Sequence, residues 1–144
     1  MANLKDLFAD KRASAVDECV TLIDAEVKDK SGFSGMAIKA GYAVVNGLKP
    51  TFVRDSVDHM LDEFATALDP IFQEAKASGT SISTHFDNNK SRVADALLSL
   101  TDAKAKRSKH ATVVKTYERL RGNAKQNVEV AVPRLGKLVE KFDR

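Results

Sequence analysis

The sequence predicts an all-α protein: one compact bundle of five to seven helices in a single domain over residues 1–144, with a short Gly/Ala-rich close-packing helix near 35–46. Three observations predict it. Apolar residues recur at spacings of three and four along most of the chain. No segment sustains the period-two alternation of a strand. Ala, Leu, Val, Lys, Asp and Glu dominate, with no Trp and only three Pro, a composition that favours helix.

The elements follow in order. Leu4, Leu7 and Phe8 form a short apolar cluster before Asp10. Val16, Cys19, Val20, Ile23 and Val27 make an amphipathic stripe, with Asp10 as a suitable N-cap and Gly32 as its stop. Ser34 then caps a helix from Gly35 to about Asn46, on which Ala37, Ala40, Gly41 and Val44 offer a small-residue face for close packing. Four of the seven glycines lie in Gly32–Gly47, and an interior glycine costs a helix about 1 kcal/mol, so packing must offset it. Pro50 starts the next helix, striped by Phe52, Val53, Val57, Met60, Leu61, Phe64 and Leu68, and Pro70 ends or restarts it. Ile82 and Phe86 anchor a short helix in a polar stretch. Val93, Ala94, Leu97, Leu98 and Leu100 mark another that runs through TDAKAKRS, to Ser108. Val113 to Ala131 defines a long helix that Pro133 kinks or splits, and Leu135, Leu138, Val139 and Phe142 finish the chain. A faint internal echo overlays residues 16–28 on 93–106, Asp24 falling on Asp102, and Tyr42 and Gly47 share the spacing of Tyr117 and Gly122.

Composition narrows the function classes. The single Cys19 cannot form an internal disulfide, and it sits on an apolar stripe as a core thiol. No stretch is apolar enough over about 20 residues to span a bilayer, and the first residues lack a secretory h-region, so a cytoplasmic setting is expected. The net charge of +3 is unevenly spread: residues 1–50 are neutral, 51–103 carry −5, and 104–144 carry +8. Residues 104–125 alone hold eight Lys/Arg against one Glu. Lys104, Lys106, Arg107, Lys109, Lys115, Arg119 and Arg121 are therefore the candidate anion or nucleic-acid face, although aromatic residues to stack on bases are missing apart from Tyr117.

No catalytic constellation emerges. The glycines do not have P-loop or GxGxxG spacing, and the GFSG tetrad at 32–35 resembles a nucleic-acid clamp that needs a sheet beside it. Asp55, His59, Asp62 and Glu63 share a helical face and are the best metal or acid–base set, but that face lies opposite Val57 and Leu61 and reads as solvated. His85 and His110 have no partners at a recognisable spacing.

The stretches IDAEVKDKSGFSGMAIKAGYAVVNGLKP, DALLSLTDAKAKRS and YERLRGNAKQNVEVAVPRLGKLVEK carry a resemblance to a group of small, uncharacterised, all-helical proteins, mostly actinobacterial. The resemblance implies a soluble helical domain with no assigned activity, cofactor or site residues. The expectation is a non-enzymatic interaction or structural module without metal or cofactor, self-associating or binding a protein partner. The alternatives are a nucleic-acid-associated protein using the 104–125 segment, and a membrane-surface protein whose Gly32–Leu48 stretch leaves the bundle and inserts.

Overall fold

A computed structural model describes residues 3–143, the side chains of Phe33 and Ser34 excepted. Among the described residues there are seven helices and no strand: α1 (Leu4–Asp10), α2 (Arg12–Asp29), α3 (Gly32–Leu48), α4 (Phe52–Ser78), α5 (Ile82–Asn88), α6 (Lys90–Arg107) and α7 (Ala111–Phe142).

Local chemistry sets most boundaries. The Asn3 side chain accepts from the Asp6 N–H and starts α1, as Ser81 accepts from the Thr84 N–H and starts α5. Gly79, at φ +71°, closes α4 in the left-handed region. Asp10 belongs to α1 rather than capping α2, which begins after Lys11. The helix placed at 35–46 begins earlier, at Gly32, whose φ of +73° only glycine adopts cheaply. Ser34 therefore lies inside α3 rather than capping it, and Ser31, in extended backbone, takes the N-cap position.

Neither internal proline breaks its helix. Pro70 lies inside α4 and Pro133 inside α7, and both rings are exposed. An interior proline costs about 3 kcal/mol or more. Each is flanked by core residues whose burial outweighs that: Leu68, Ile71 and Phe72 in α4, and Val132, Leu138 and Val139 in α7.

The sequence echo reappears as a structural repeat. α1 and α5 are both seven residues long, α2 and α6 both eighteen, and Leu4 to Ile82 and Arg12 to Lys90 are the same shift of 78 residues. Buried Leu4 and Phe8 correspond to buried Ile82 and Phe86. α1 packs chiefly on α4, and α5 on α7. The Leu4 N–H donates to Asp69, and one position beyond its counterpart Ile82 the Ser83 N–H donates to Glu140. Tyr42 donates to Asp24, and Tyr117 to Asp102, its echo position. α7 therefore stands for α3 and α4 joined end to end.

The core gathers where the halves meet, with Phe8 and Phe142 edge to face at 5.4 Å between ring centroids. One close helix approach falls at a glycine that periodicity does not single out. A Cβ on Gly136 of α7 would stand 2.8 Å from Ser83 Cα of α5.

Candidate ligand cavity

An apolar cavity of about 440 Å³, partly open, lies between α2, α4, α6 and α7. α2 contributes Cys19, Leu22, Ile23 and Val27, and α4 contributes Val57, Leu61, Phe64 and Leu68. Leu97 and Leu98 come from α6, and Leu120, Ala124, Val128, Ala131 and Leu135 from α7. Ile38 is the one lining residue that α3 supplies among the described residues. The α7 residues recur at spacings of three and four, so one unbroken stripe forms a wall. From Tyr117 to Leu135 that wall runs roughly 27 Å at 1.5 Å per residue.

The repeat explains the space. Aligning Asp69 with Glu140 places Ala124 where α4 has Val53, and Ala131 where α4 has Met60. Two small side chains in α7 thus stand where the equivalent helix carries large ones. Leu22, Ile23, Phe64, Leu97, Val128 and Leu135 remain only half-buried although they face the interior of the fold.

The polar groups of the wall are already occupied. Glu26, 8 % exposed, pairs with Lys30 at 3.1 Å and with Arg134, and Lys30 Nζ also donates to the Asn127 carbonyl at 3.3 Å. The Tyr117 and Thr101 hydroxyls lie 2.7 Å apart, and Tyr117 donates on to Asp102, which Arg121 also holds. Arg121, then the Tyr117 hydroxyl, keep the Asp102 carboxyl below its ordinary range, while burial and then Asp102 push the Tyr117 hydroxyl up. Among the described residues no buried side-chain nitrogen or oxygen lacks a hydrogen-bond partner. Cys19 lines the wall as a free thiol, raised to about 11 by burial and then by the charge of Glu18.

The sequence-predicted sites fall elsewhere. Gly41 is buried, and a Cβ there would meet Thr116 and Leu120 of α7 at 3.0 Å. Ala37 is half-buried, but Ala40 and Val44 are exposed, so the contact face is turned toward Gly35, Ile38, Gly41 and Val45. The reason is that α3 is apolar on both sides, so side-chain size could not single out the inner one. In the basic segment, Lys104 pairs with Glu63 at 2.8 Å and Arg121 with Asp102 at 2.8 Å. Lys106, Arg107, Lys109, Lys115 and Arg119 are exposed and make no ion pair with a described residue. On α4, Asp58 and Asp62 hold Arg12, and Asp55 holds Lys49. His85 meets Glu74 at 3.0 Å. Among the described residues no three His, Cys, Asp or Glu side chains converge as metal ligands, and no helix is long and apolar enough to cross a membrane.

The cavity itself escaped sequence reasoning. Core and cavity walls share one apolar periodicity, and the available signal was the pair Ala124 and Ala131 within an otherwise bulky stripe.

Residues 4–143 match a family of unknown function (DUF6918), and the chain belongs to that family. No curated protein and no solved structure matches it.

Proposed function

We propose that the protein is a non-enzymatic binding module that takes up an uncharged, elongated apolar molecule, an aliphatic or polyisoprenoid chain, between its two halves. The observation that carries this reading is the cavity of about 440 Å³, which lies within the usual range of small-molecule sites. Its charges are neutralised in pairs and its buried polar atoms are satisfied, so recognition rests on shape and apolar contact rather than on a charged headgroup. A free Cys19 held as the neutral thiol suits a reducing, cytoplasmic setting.

Titration with Nile red, an uncharged apolar dye, tests the reading. Saturable, stoichiometric binding with blue-shifted emission is expected, competed by dodecanol and lost in the Ala124→Leu/Ala131→Leu double variant. Emission that never saturates, or an equal response from that variant, refutes it.

A further inference from the structure

Two stretches of the chain hold no carboxylate: residues 30–54, with four cations, and residues 103–117, with five. The fold brings them together, because Gly41 of α3 seats against Thr116 and Leu120 of α7. Lys39 on α3, Lys115 and Arg119 on α7, and Lys106, Arg107 and Lys109 at the α6–α7 corner are all exposed and make no ion pair with a described residue. Glu118 is exposed among them, and Glu63 and Asp102, which lie near Arg107 and Lys106, are already paired with Lys104 and Arg121, so the balance stays positive.

The outward side of α3 adds a second property. Met36, Ala40, Ala43, Val44 and Gly47 recur on one stripe, and Lys39 falls at its edge. Met36 is 68 % exposed, Leu48 at the end of the helix 55 %, and Val44 43 %. A water-facing helix that is apolar outward and bordered by unpaired cations matches a surface that is anionic at the headgroups and apolar just beneath.

We propose that this face, with α3 still seated on the bundle, docks on an anionic lipid bilayer. The cations hold the headgroup phosphates, and Met36, Val44 and Leu48 enter the upper acyl region. Duplex nucleic acid would engage the cations but leave those three apolar side chains in water. Tyr117, the aromatic residue of the basic segment, is turned to Thr101 and Asp102 and is not available to stack on a base.

Flotation with large unilamellar vesicles tests the proposal, comparing phosphatidylcholine alone with phosphatidylcholine containing about a third phosphatidylglycerol at low ionic strength. Binding to the anionic vesicles, and not to the neutral ones, is expected. Lys115→Gln/Arg119→Gln should weaken it about 25-fold, at roughly fivefold per cation. Met36→Ser/Leu48→Ser should weaken it at least about tenfold while thermal unfolding stays unchanged, because both side chains are already exposed. No flotation with anionic vesicles overturns the proposal. So does binding that ignores phosphatidylglycerol, an unaltered affinity in either double variant, or retention on duplex DNA without vesicle binding. Nile red uptake is read separately, so failure of the cavity reading would leave this result intact.

Discussion

Emptying the cavity should destabilise the protein, and refilling it should be visible as heat resistance. The mutational coefficient for closed apolar voids is about 24 cal/mol per Å³. Applied to a void of about 440 Å³ it gives roughly 10 kcal/mol, as large as the net stability of a whole domain. That figure is an upper bound, because this cavity is partly open and its half-buried side chains relax inward. An occupant present at a hundred times its Kd stabilises by about 2.7 kcal/mol, or about 10 °C in Tm for a chain of this size. The assay is calorimetric unfolding of solvent-extracted protein with and without dodecanol. Ala124→Leu/Ala131→Leu supplies the control. Six added methyl or methylene groups would contribute about 5 kcal/mol if all packed ideally, and about 2 kcal/mol after strain. The variant should therefore unfold at a higher temperature than the extracted wild type and gain little from dodecanol. An equal dodecanol shift in both proteins would refute the reasoning. So would a variant destabilised by several kcal/mol, since the space would then not be there.

The other predictions concern packing and titration. Gly136→Ala should destabilise by about 1–2 kcal/mol in urea titration, because overpacking against the Ser83 backbone outweighs the helix propensity gained. Gly122→Ala, in the same helix with nothing within 4 Å, should stabilise by up to about 1 kcal/mol, and matching signs would contradict the contact geometry. Glu74 is held at about 2 by Arg92 and then His85, so its contribution is complete above the ordinary value of 4.5 and fades as pH falls from there toward 2. Acid titration followed by circular dichroism should accordingly show a shallower loss for Glu74→Gln across that window. Cys19, raised to about 11, should react with iodoacetamide at neutral pH far more slowly in the folded chain than in urea, and dodecanol should slow it further.

Much of the fold was legible because helix stripes are written locally. The α1 pair Leu4 and Phe8, the α5 pair Ile82 and Phe86, and the long α4 stripe all appear where periodicity placed them. What was not legible depended on comparing energies across the fold. The prolines looked like breakers because their local cost is explicit, whereas the burial that overrides it comes from partner helices. Gly136 is a single glycine in an ordinary stretch, and its role exists only because α5 crosses there. The basic segment was visible as charge, but not its division into Lys104, Arg121 and Lys125, spent on Glu63, Asp102 and Asp95, and the exposed remainder.

The repeat ties the cavity to the way the second half departs from the first. Tyr42 to Tyr117 is a shift of 75 residues, whereas Asp69 to Glu140 is a shift of 71. Four residues are therefore missing between the counterparts of α3 and α4, about the length of the Lys49–Thr51 connection. Four residues are close to one helical turn, so removing them keeps the apolar faces of the two segments nearly in phase. The result is one 32-residue helix with a continuous inner stripe instead of two helices joined by a corner. In the first half the corner at Pro50 remains, and α3 lies across α7 with Ile38 reaching the cavity and Tyr42 tied to Asp24. A symmetric protein would close this space with two equal walls. Here α7 is one unbroken wall, whereas α3 adds only Ile38 to the lining among the described residues, so the entrance is expected on the α3 side. Replacing Tyr42 with Phe removes the Asp24 hydrogen bond and should speed Nile red entry in stopped-flow traces; an unchanged rate would move the entrance elsewhere.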